Sequence, residues 1–315
     1  MQVFRDLATL GQHYRRVCAA IGVFDGVHRG HQKVIARANA TARERDAASV
    51  VVTFDPHPAR VLQPASAPPL LTSTEHKLRL LSALGVDACM VLTFDRSLAE
   101  TSAEDFVAQL RRNIPGLERV CVGPNFRFGH QRRGDVELLV ELGKELGFVA
   151  EEVPGERVGD ELVSSTAIRR HVQAGRLDIA AAMLGRPFSI LGTVVSGDQL
   201  GRHLGYPTAN VDPHNEVMPP TGVYVVLAEH AGIRHGGMAN IGTRPTVSDA
   251  TGDLRLEVHL FDFDRELYGD DLEIFFIQRL RDEQRFPSPD ALRTQLQADE
   301  RVARAILRSQ QHFTV

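Results

Sequence analysis

Tryptophan is absent from this 315-residue sequence, and cysteine is scarce. The three cysteines, Cys18, Cys89 and Cys121, lie far apart in separate apolar runs. An odd number at such spacings indicates neither a disulfide framework nor a cysteine-based metal motif. We therefore expect small core residues in a reducing compartment.

Long apolar runs and a strong excess of either charge are also missing. No run approaches the ~20 apolar residues that a membrane helix needs, and the first residues, 1–6, lack the pattern of a signal peptide. The formal net charge of −4 argues against a dominant role in binding nucleic acid. These features predict a cytoplasmic protein with neither nucleic acid nor membrane as a partner, and they leave a homo-oligomer open.

A glycine-rich turn near the start joins a predicted strand, Val17 to Ile21, to a predicted helix, Gln32 to Arg45. Glycines such as Gly22 and Gly30 let backbone N–H groups approach an anion, and a helix N-terminus carries partial positive charge. His28 and His31 lie in the same turn. The segment therefore predicts a phosphate site with two imidazoles beside it.

The rest of the first half alternates strands with helices, which predicts a doubly wound, mainly parallel α/β sheet. Two later strands end in segments of polar or proline residues. The first segment is Thr53 to Pro58, and the second is Gly123 to Gly129, which includes Asn125. Ligands of such sheets bind at the carboxyl ends of strands, so these segments should border one crevice. Farther along, Ser164, Thr166 and Arg169 predict either an ordinary helix cap or a second anion site.

These segments carry a resemblance to a known family. His28-Arg29-Gly30-His31 resembles the HxGH signature of nucleotidylyltransferases and class I aminoacyl-tRNA synthetases. The longer run from Gly22 through Phe24 to His31 is similar to the narrower signature of bacterial FAD synthetases. With the three later segments, in the same order, it resembles the FAD synthetase module of bifunctional riboflavin kinase/FAD synthetases. The resemblance implies a nucleotidylyltransferase-like domain over residues 1–185.

The second half, residues 186–315, shows no alternation of strands and helices. Short predicted strands separated by Gly- and Pro-rich turns indicate a small antiparallel β-barrel, followed by a C-terminal helix from Ser288 to Gln310. Gly201 to Asn210, ending in Pro207-Thr208-Ala209-Asn210, resembles the glycine-rich loop and PTAN motif of riboflavin kinases. The oxygens of Thr208 and Asn210 are hard neutral ligands of the kind that Mg²⁺ accepts.

The resemblance implies two reactions and roles for their residues. Riboflavin and ATP would give FMN, with Glu257 as general base and Thr208, Asn210 and Mg²⁺ at the phosphates. FMN and ATP would then give FAD and pyrophosphate, with His28 and His31 stabilising the transition state, an imidazolium being the stronger form. The remaining candidate ligands of the nucleotide and flavin are Gly22, Phe24, Gly30, Asn125, Ser164, Thr166, Arg169 and Gly201.

Two other functions remain as alternatives. A tRNA synthetase-like enzyme would need a loop with catalytic lysines after the sheet. The segment at that place here, Ser164 to Arg169, contains no lysine. A flavin-binding regulator would have lost the catalytic residues of one module. Both histidines, the PTAN motif and Glu257 are present, which favours the enzyme.

Overall fold

A computed structural model describes residues 1–197, 205–243 and 254–310. The chain divides into two units. The first, here called the sheet unit, consists of Met1–Leu70 and Thr74–Ser165, and the second, the barrel unit, of Leu71–Ser73 and the chain from Thr166 onward. Among the described residues, no helix is both long and apolar enough to cross a membrane.

The sheet unit alternates strands and helices, as the sequence predicts. Its strands are β1 (Gln2–Phe4), β2 (Val17–Ile21), β3 (Ala48–Asp55), β4 (Ala88–Thr93), β5 (Leu117–Val122), β6 (Val149–Glu152) and the short pair β7 (Arg157–Val158) and β8 (Glu161–Leu162). Its helices are α1 (Leu7–His13), α2 (Arg29–Glu44), α3 (Pro58–Leu62), α4 (Thr74–Ala83), α5 (Arg96–Glu100), α6 (Ala103–Asn113) and α7 (Val136–Leu146).

The main sheet has six parallel strands in the order β1-β4-β3-β2-β5-β6. The strand order reverses between β2 and β5, which makes their carboxyl ends the topological switch point. The turn with the two histidines follows β2, and the loop with Asn125 follows β5. The fold therefore brings two predicted segments to the place where such sheets bind ligands.

Alternate residues of β2 pack on opposite faces of the sheet. Val17, Ala19 and Ile21 join one apolar cluster, whereas Ala20 joins the other. This division follows from the two-residue period of a strand. Cys18, Cys89 and Cys121 are buried and unpaired, as expected.

The barrel unit contains two helices before its first strand. Helix α8 (Ser165–Gln173) begins with the last residue of the sheet unit, and α9 (Leu177–Leu184) follows it. The strands are β9 (Phe188–Val195), β10 (Ala209–Pro213), β11 (Gly222–His230), β12 (Ile233–Thr243), β13 (Leu254–Leu260) and β14 (Asp271–Arg281), and the last helix is α10 (Pro289–Gln310).

These six strands close into an antiparallel barrel in the order β10-β13-β12-β11-β14-β9. On the outside of the barrel, Val225 and Met238 pack with Ala303 and Leu307 of α10. The neighbouring residues Tyr224 and Ala239 point to the opposite face and are buried. The predicted sheet, barrel and C-terminal helix are thus confirmed.

Candidate active sites

The turn after β2 has an unusual backbone. Phe24, Gly26 and Val27 have φ angles of 54°, 82° and 42°. Two of the three carry a side chain, and this left-handed region costs such residues of order 1–3 kcal/mol each. The surrounding structure holds them there, because Phe24 and Val27 are both buried.

The two histidines lie against each other at the N-terminus of α2. His28 is the cap residue of the helix, and its Nδ1 accepts a hydrogen bond from the backbone N–H of His31 at 3.3 Å. The two rings are stacked, with centroids 3.5 Å apart and planes 17° from parallel. Helix α2 thus begins at Arg29, three residues before the predicted start, because His28 itself caps it.

The surroundings of His31 favour its neutral imidazole. Burial, and then the nearby charges of His28 and Lys77, keep the pKa of His31 well below its usual value. Its Nδ1 is buried, and no residue in the described part of the chain hydrogen-bonds to that atom. Buried polar atoms normally have a partner, which makes Nδ1 a candidate contact for a bound ligand. The sequence favoured an imidazolium, whereas the structure favours an uncharged ring.

Gly30 and Gly22 leave room for the aromatic rings of the turn. A Cβ on Gly30 would lie 3.2 Å from the His28 ring, and a Cβ on Gly22 would lie 3.1 Å from the Phe24 ring. The edge of Phe24 meets His31, with centroids 5.2 Å apart. Phe24 is only 2% exposed, so its ring supports the histidines from the core side.

Two of the other predicted segments of the sheet unit contact this turn. Thr53 is buried at the end of β3, and its hydroxyl donates to the carbonyl of Val23 at 3.0 Å. Asn125 is exposed in the loop after β5. Ser165, the first residue of α8, donates its hydroxyl to the carbonyl of Asp25 at 2.9 Å. The chain just before α8 is therefore tied to the histidine turn.

The predicted triphosphate ligands divide between the units. Ser164 belongs to the sheet unit, whereas Thr166 and Arg169 lie on the part of α8 that belongs to the barrel unit. Arg169 is 8% exposed. Serine and threonine at the start of this helix also fit a capping role, so their binding role stays a prediction.

The sequence interpretation missed Lys77. This residue of α4 is buried, and its ammonium reaches the ends of β2 and β3. A lysine within a helical pattern is ordinarily a solvated residue, so nothing in the local sequence distinguished it.

The barrel unit places three polar residues in one row. Asn210 of β10 is opposite Glu257 of β13, and Glu257 is in turn opposite Asn240 of β12. Residues paired in this way share a face of the sheet, with Cβ atoms about 4.5–5.5 Å apart. All three are half-buried, whereas the flanking Leu256 and Val258 are buried. The row therefore lies on the outer face of the barrel.

The segment before Asn210 is fixed from two sides. The hydroxyl of Tyr206 donates to Glu300 of α10 at 2.9 Å, and the carbonyl of Pro207 lies 2.8 Å from Nδ1 of His259. Burial first, and the hydrogen bond to Glu300 second, raise the pKa of Tyr206 to about 12. Thr208 lies two residues before Asn210 and is half-buried.

Close packing also positions the Asn210 side chain. A Cβ on Gly197 would lie 1.9 Å from Nδ2 of Asn210, so this carboxamide lies directly against the glycine backbone. Gly201, the predicted ligand in the same loop, lies outside the described residues.

The residues of this row suit a hard cation. Thr208 and Asn210 offer neutral oxygens, and Glu257 offers a carboxylate next to Asn210. Oxygen donors of this kind fit Mg²⁺, which also takes water and substrate phosphates as ligands. Among the described residues, no cluster of three or more His, Cys, Asp or Glu could hold a metal ion.

Comparison with known families divides the chain in a similar way. A model of the FAD synthetase family matches residues 11–167, and a model of the riboflavin kinase family matches residues 184–307.

Single proteins resemble the chain over almost its whole length. A bifunctional riboflavin kinase/FMN adenylyltransferase of Pseudomonas fluorescens is 41% identical over 99% of this chain and all of its own. The protein of the same name from Escherichia coli K12 is 39% identical over 96% of this chain and 97% of its own. A crystal structure described as a macrolide-efflux protein from Streptococcus pneumoniae superposes with a TM-score of 0.82, at 30% identity, over 96% of this chain and 98% of that one.

Proposed function

The chain belongs to the family of bifunctional riboflavin kinase/FMN adenylyltransferases, and from this premise we propose how its two units divide the two reactions. The protein makes FMN from riboflavin and ATP, and FAD from FMN and ATP. We assign the second reaction to the histidine turn of the sheet unit and the first to the polar row of the barrel unit. We further propose residues 1–185 and 186–315 as the two catalytic domains, a boundary that differs from that of the units because α8 and α9 cluster with the barrel unit.

The adenylyl transfer needs positioning more than acid–base chemistry. An FMN phosphate oxygen is already anionic, so it attacks the α-phosphorus of ATP without a protein base. The bond to the β-phosphate breaks and pyrophosphate leaves. Negative charge grows on the oxygens of the transferred group, where N–H donors in a buried site are most effective. The observation that carries this assignment is the stacked His28–His31 pair at the start of α2, in which the buried Nδ1 of His31 has no hydrogen-bond partner among the described residues.

The backbone N–H groups at the start of α2 add to this effect. Gly22 and Gly30 let phosphates approach the backbone, and Phe24 keeps the turn in place. Asn125 would orient the nucleotide from the loop after β5. Ser164, Thr166 and Arg169 would hold the triphosphate, with Arg169 supplying a planar, permanently charged donor.

The kinase reaction needs a base, because a ribityl hydroxyl is neutral. Glu257 accepts the proton of this hydroxyl as its oxygen attacks the γ-phosphorus, and ADP leaves. The observation that carries this assignment is the register that sets Glu257 directly beside Asn210. Thr208, Asn210 and the backbone of the Gly201 loop would hold the phosphates. A bound Mg²⁺ would neutralise phosphate charge in this site, held by the oxygens of Thr208 and Asn210.

Four further expectations stay predictions. They are a cytoplasmic location, no nucleic-acid partner, no membrane partner, and a homo-oligomer as an open possibility. Small-molecule substrates, namely riboflavin, FMN and ATP, fit the family.

A time course of flavin products tests the assignment of the two reactions to the two units. The purified protein is incubated with riboflavin, ATP and Mg²⁺, and the flavins are separated by chromatography. We expect FMN first and FAD later. Glu257→Gln should form FMN about 10²–10⁴-fold more slowly, the usual contribution of a general base, and still convert added FMN to FAD. His31→Ala should stop at FMN.

Two results would contradict the proposal. Unimpaired FMN formation by Glu257→Gln would remove the base, and unimpaired FAD formation by His31→Ala would remove the histidine turn. Flavin that stays bound with no product from the unaltered protein would instead indicate a flavin-binding regulator.

A further inference from the structure

Lys77 is a buried cation in the part of the sheet unit that forms the proposed FAD site. It is 5% exposed. Its Nζ lies 3.0 Å from the hydroxyl of Thr53, 3.2 Å from the carbonyl of Val23 and 3.3 Å from the carbonyl of Phe54. Val23 belongs to the histidine turn, and the other two residues end β3. One side chain therefore connects the exits of two neighbouring strands.

The contacts of Lys77 argue against direct binding of substrate by its ammonium group. An ammonium group has three N–H donors, and the three acceptors account for all of them. A substrate phosphate would have to displace one of these bonds. Lys77 is therefore placed to act through the strand ends that it holds.

All three acceptors are uncharged, and the carboxylates of Asp25 and Asp55 offset part of the positive charge. A buried charge without an ion-pair partner is costly, and proteins retain such groups mainly where function requires them. Desolvation lowers the pKa of Lys77, and the carboxylates of Asp25 and Asp55 and the thiol of Cys89 oppose this shift. The groups that act on His31 are His28 and Lys77, both of which lower the pKa of its imidazole.

We propose that Lys77 is a positioning residue for the adenylyl transfer: it clamps the ends of β2 and β3 and places a positive charge beside the histidine turn. This inference rests on the proposed function of the histidine turn.

The variants Lys77→Met and Lys77→Gln test the proposal. Both remove the charge, and the glutamine keeps N–H donors for the carbonyl groups. We measure kcat and KM for FAD formation from FMN and ATP between pH 5 and 9. FAD formation should fall at least about tenfold in Lys77→Met, whereas FMN formation by the same samples should change less than about twofold. Lys144→Met is the matched control, because Lys144 is an exposed lysine of the same unit.

The pH profile separates positioning from mere support of the fold. Without the ammonium, the pKa of His31 rises, so the acidic limb of kcat/KM should move to higher pH. A partly unfolded sample would lose amplitude and keep the position of that limb. A decrease in amplitude with an unmoved limb in both variants, or unchanged FAD formation, would overturn the proposal. No FAD from the unaltered protein would instead contradict the proposed function itself.

Discussion

At the scale of single residues, burial decides the charge state of the proposed FAD site. An imidazole in water has a pKa near 6.5 and is partly protonated in the cell. His31 has its Nδ1 buried and two cationic or titratable neighbours, and the pKa of its ring is lowered accordingly. It can therefore serve as an N–H donor at neutral pH, but it adds no charge of its own.

The same burial predicts how the sheet unit responds to acid. The unfolded chain protonates His31 below about pH 6.5, whereas the folded chain resists that proton until a lower pH. The unfolded state then binds more protons, so stability falls as pH falls through this interval, by at most about 1.4 kcal/mol per pH unit for one group. Thermal unfolding of the unaltered protein and of His31→Asn between pH 7.5 and 5 measures the effect.

We expect the unfolding midpoint of the sheet unit to decrease less with acid in His31→Asn. His130→Asn, which changes an exposed histidine of the same unit, is the matched control and should follow the unaltered protein. Parallel curves for the unaltered protein and His31→Asn would contradict the lowered pKa of His31.

Residue-level prediction from the sequence worked best where a motif was short and contiguous. His28 and His31 lie three residues apart, and the helix brings their rings together. Lys77 lies 54 residues from Val23, to whose carbonyl it donates. No local spacing reveals such a contact, because it exists only once α4 packs beside the sheet.

At the scale of elements, the barrel depends on how α10 is attached to it. Arg281 at the end of β14 forms an ion pair with Asp299 of α10, with 2.8 Å between Nη2 and Oδ2. The two side chains are only 15% and 7% exposed. Gln295 donates a further hydrogen bond to Asp299 at 2.7 Å. The attachment is thus a buried polar network as well as an apolar contact.

Breaking this pair should destabilise the barrel unit. Asp299→Ala leaves Arg281 buried without its partner, which typically costs about 3–5 kcal/mol. The unfolding midpoint of the barrel unit should fall by roughly 10 °C. It is measured as the temperature at which FMN formation is lost.

Asp282→Ala is the matched control. It removes a carboxylate 2.6 Å from Arg279 that is 78% exposed, and such pairs contribute about 0–1 kcal/mol. Equal effects of the two substitutions on the unfolding midpoint would contradict the prediction that burial makes the Arg281–Asp299 pair contribute more to stability than an exposed pair.

The elements that the sequence did not predict are short or have mixed character. Strand β1 has three residues and lies at the edge of the sheet, where it pairs with β4. Strand β10 includes the last two residues of the predicted PTAN loop, and its pairing with β9 and β13 is what makes it a strand. Such pairing comes from residues distant in sequence, so local patterns cannot indicate it. The long alternating segments had enough periodicity to be predicted.

At the scale of the whole molecule, each unit brings its own reacting groups. The histidines lie in the sheet unit and Glu257 lies in the barrel unit. FMN is the product of one reaction and the substrate of the other. A protein that has lost one activity should therefore still supply or consume FMN for a second protein that has lost the other.

Mixing two variants tests this independence. His31→Ala should make FMN and stop there, and Glu257→Gln should use FMN but make almost none. Together, in riboflavin, ATP and Mg²⁺, they should produce FAD after a lag while FMN accumulates in solution, and dilution should lengthen that lag. The control is each variant alone with both substrates, which should give no more than traces of FAD. If the mixture makes no FAD although each variant retains its remaining activity, FMN does not leave the unit that forms it, and the two reactions are coupled within one chain.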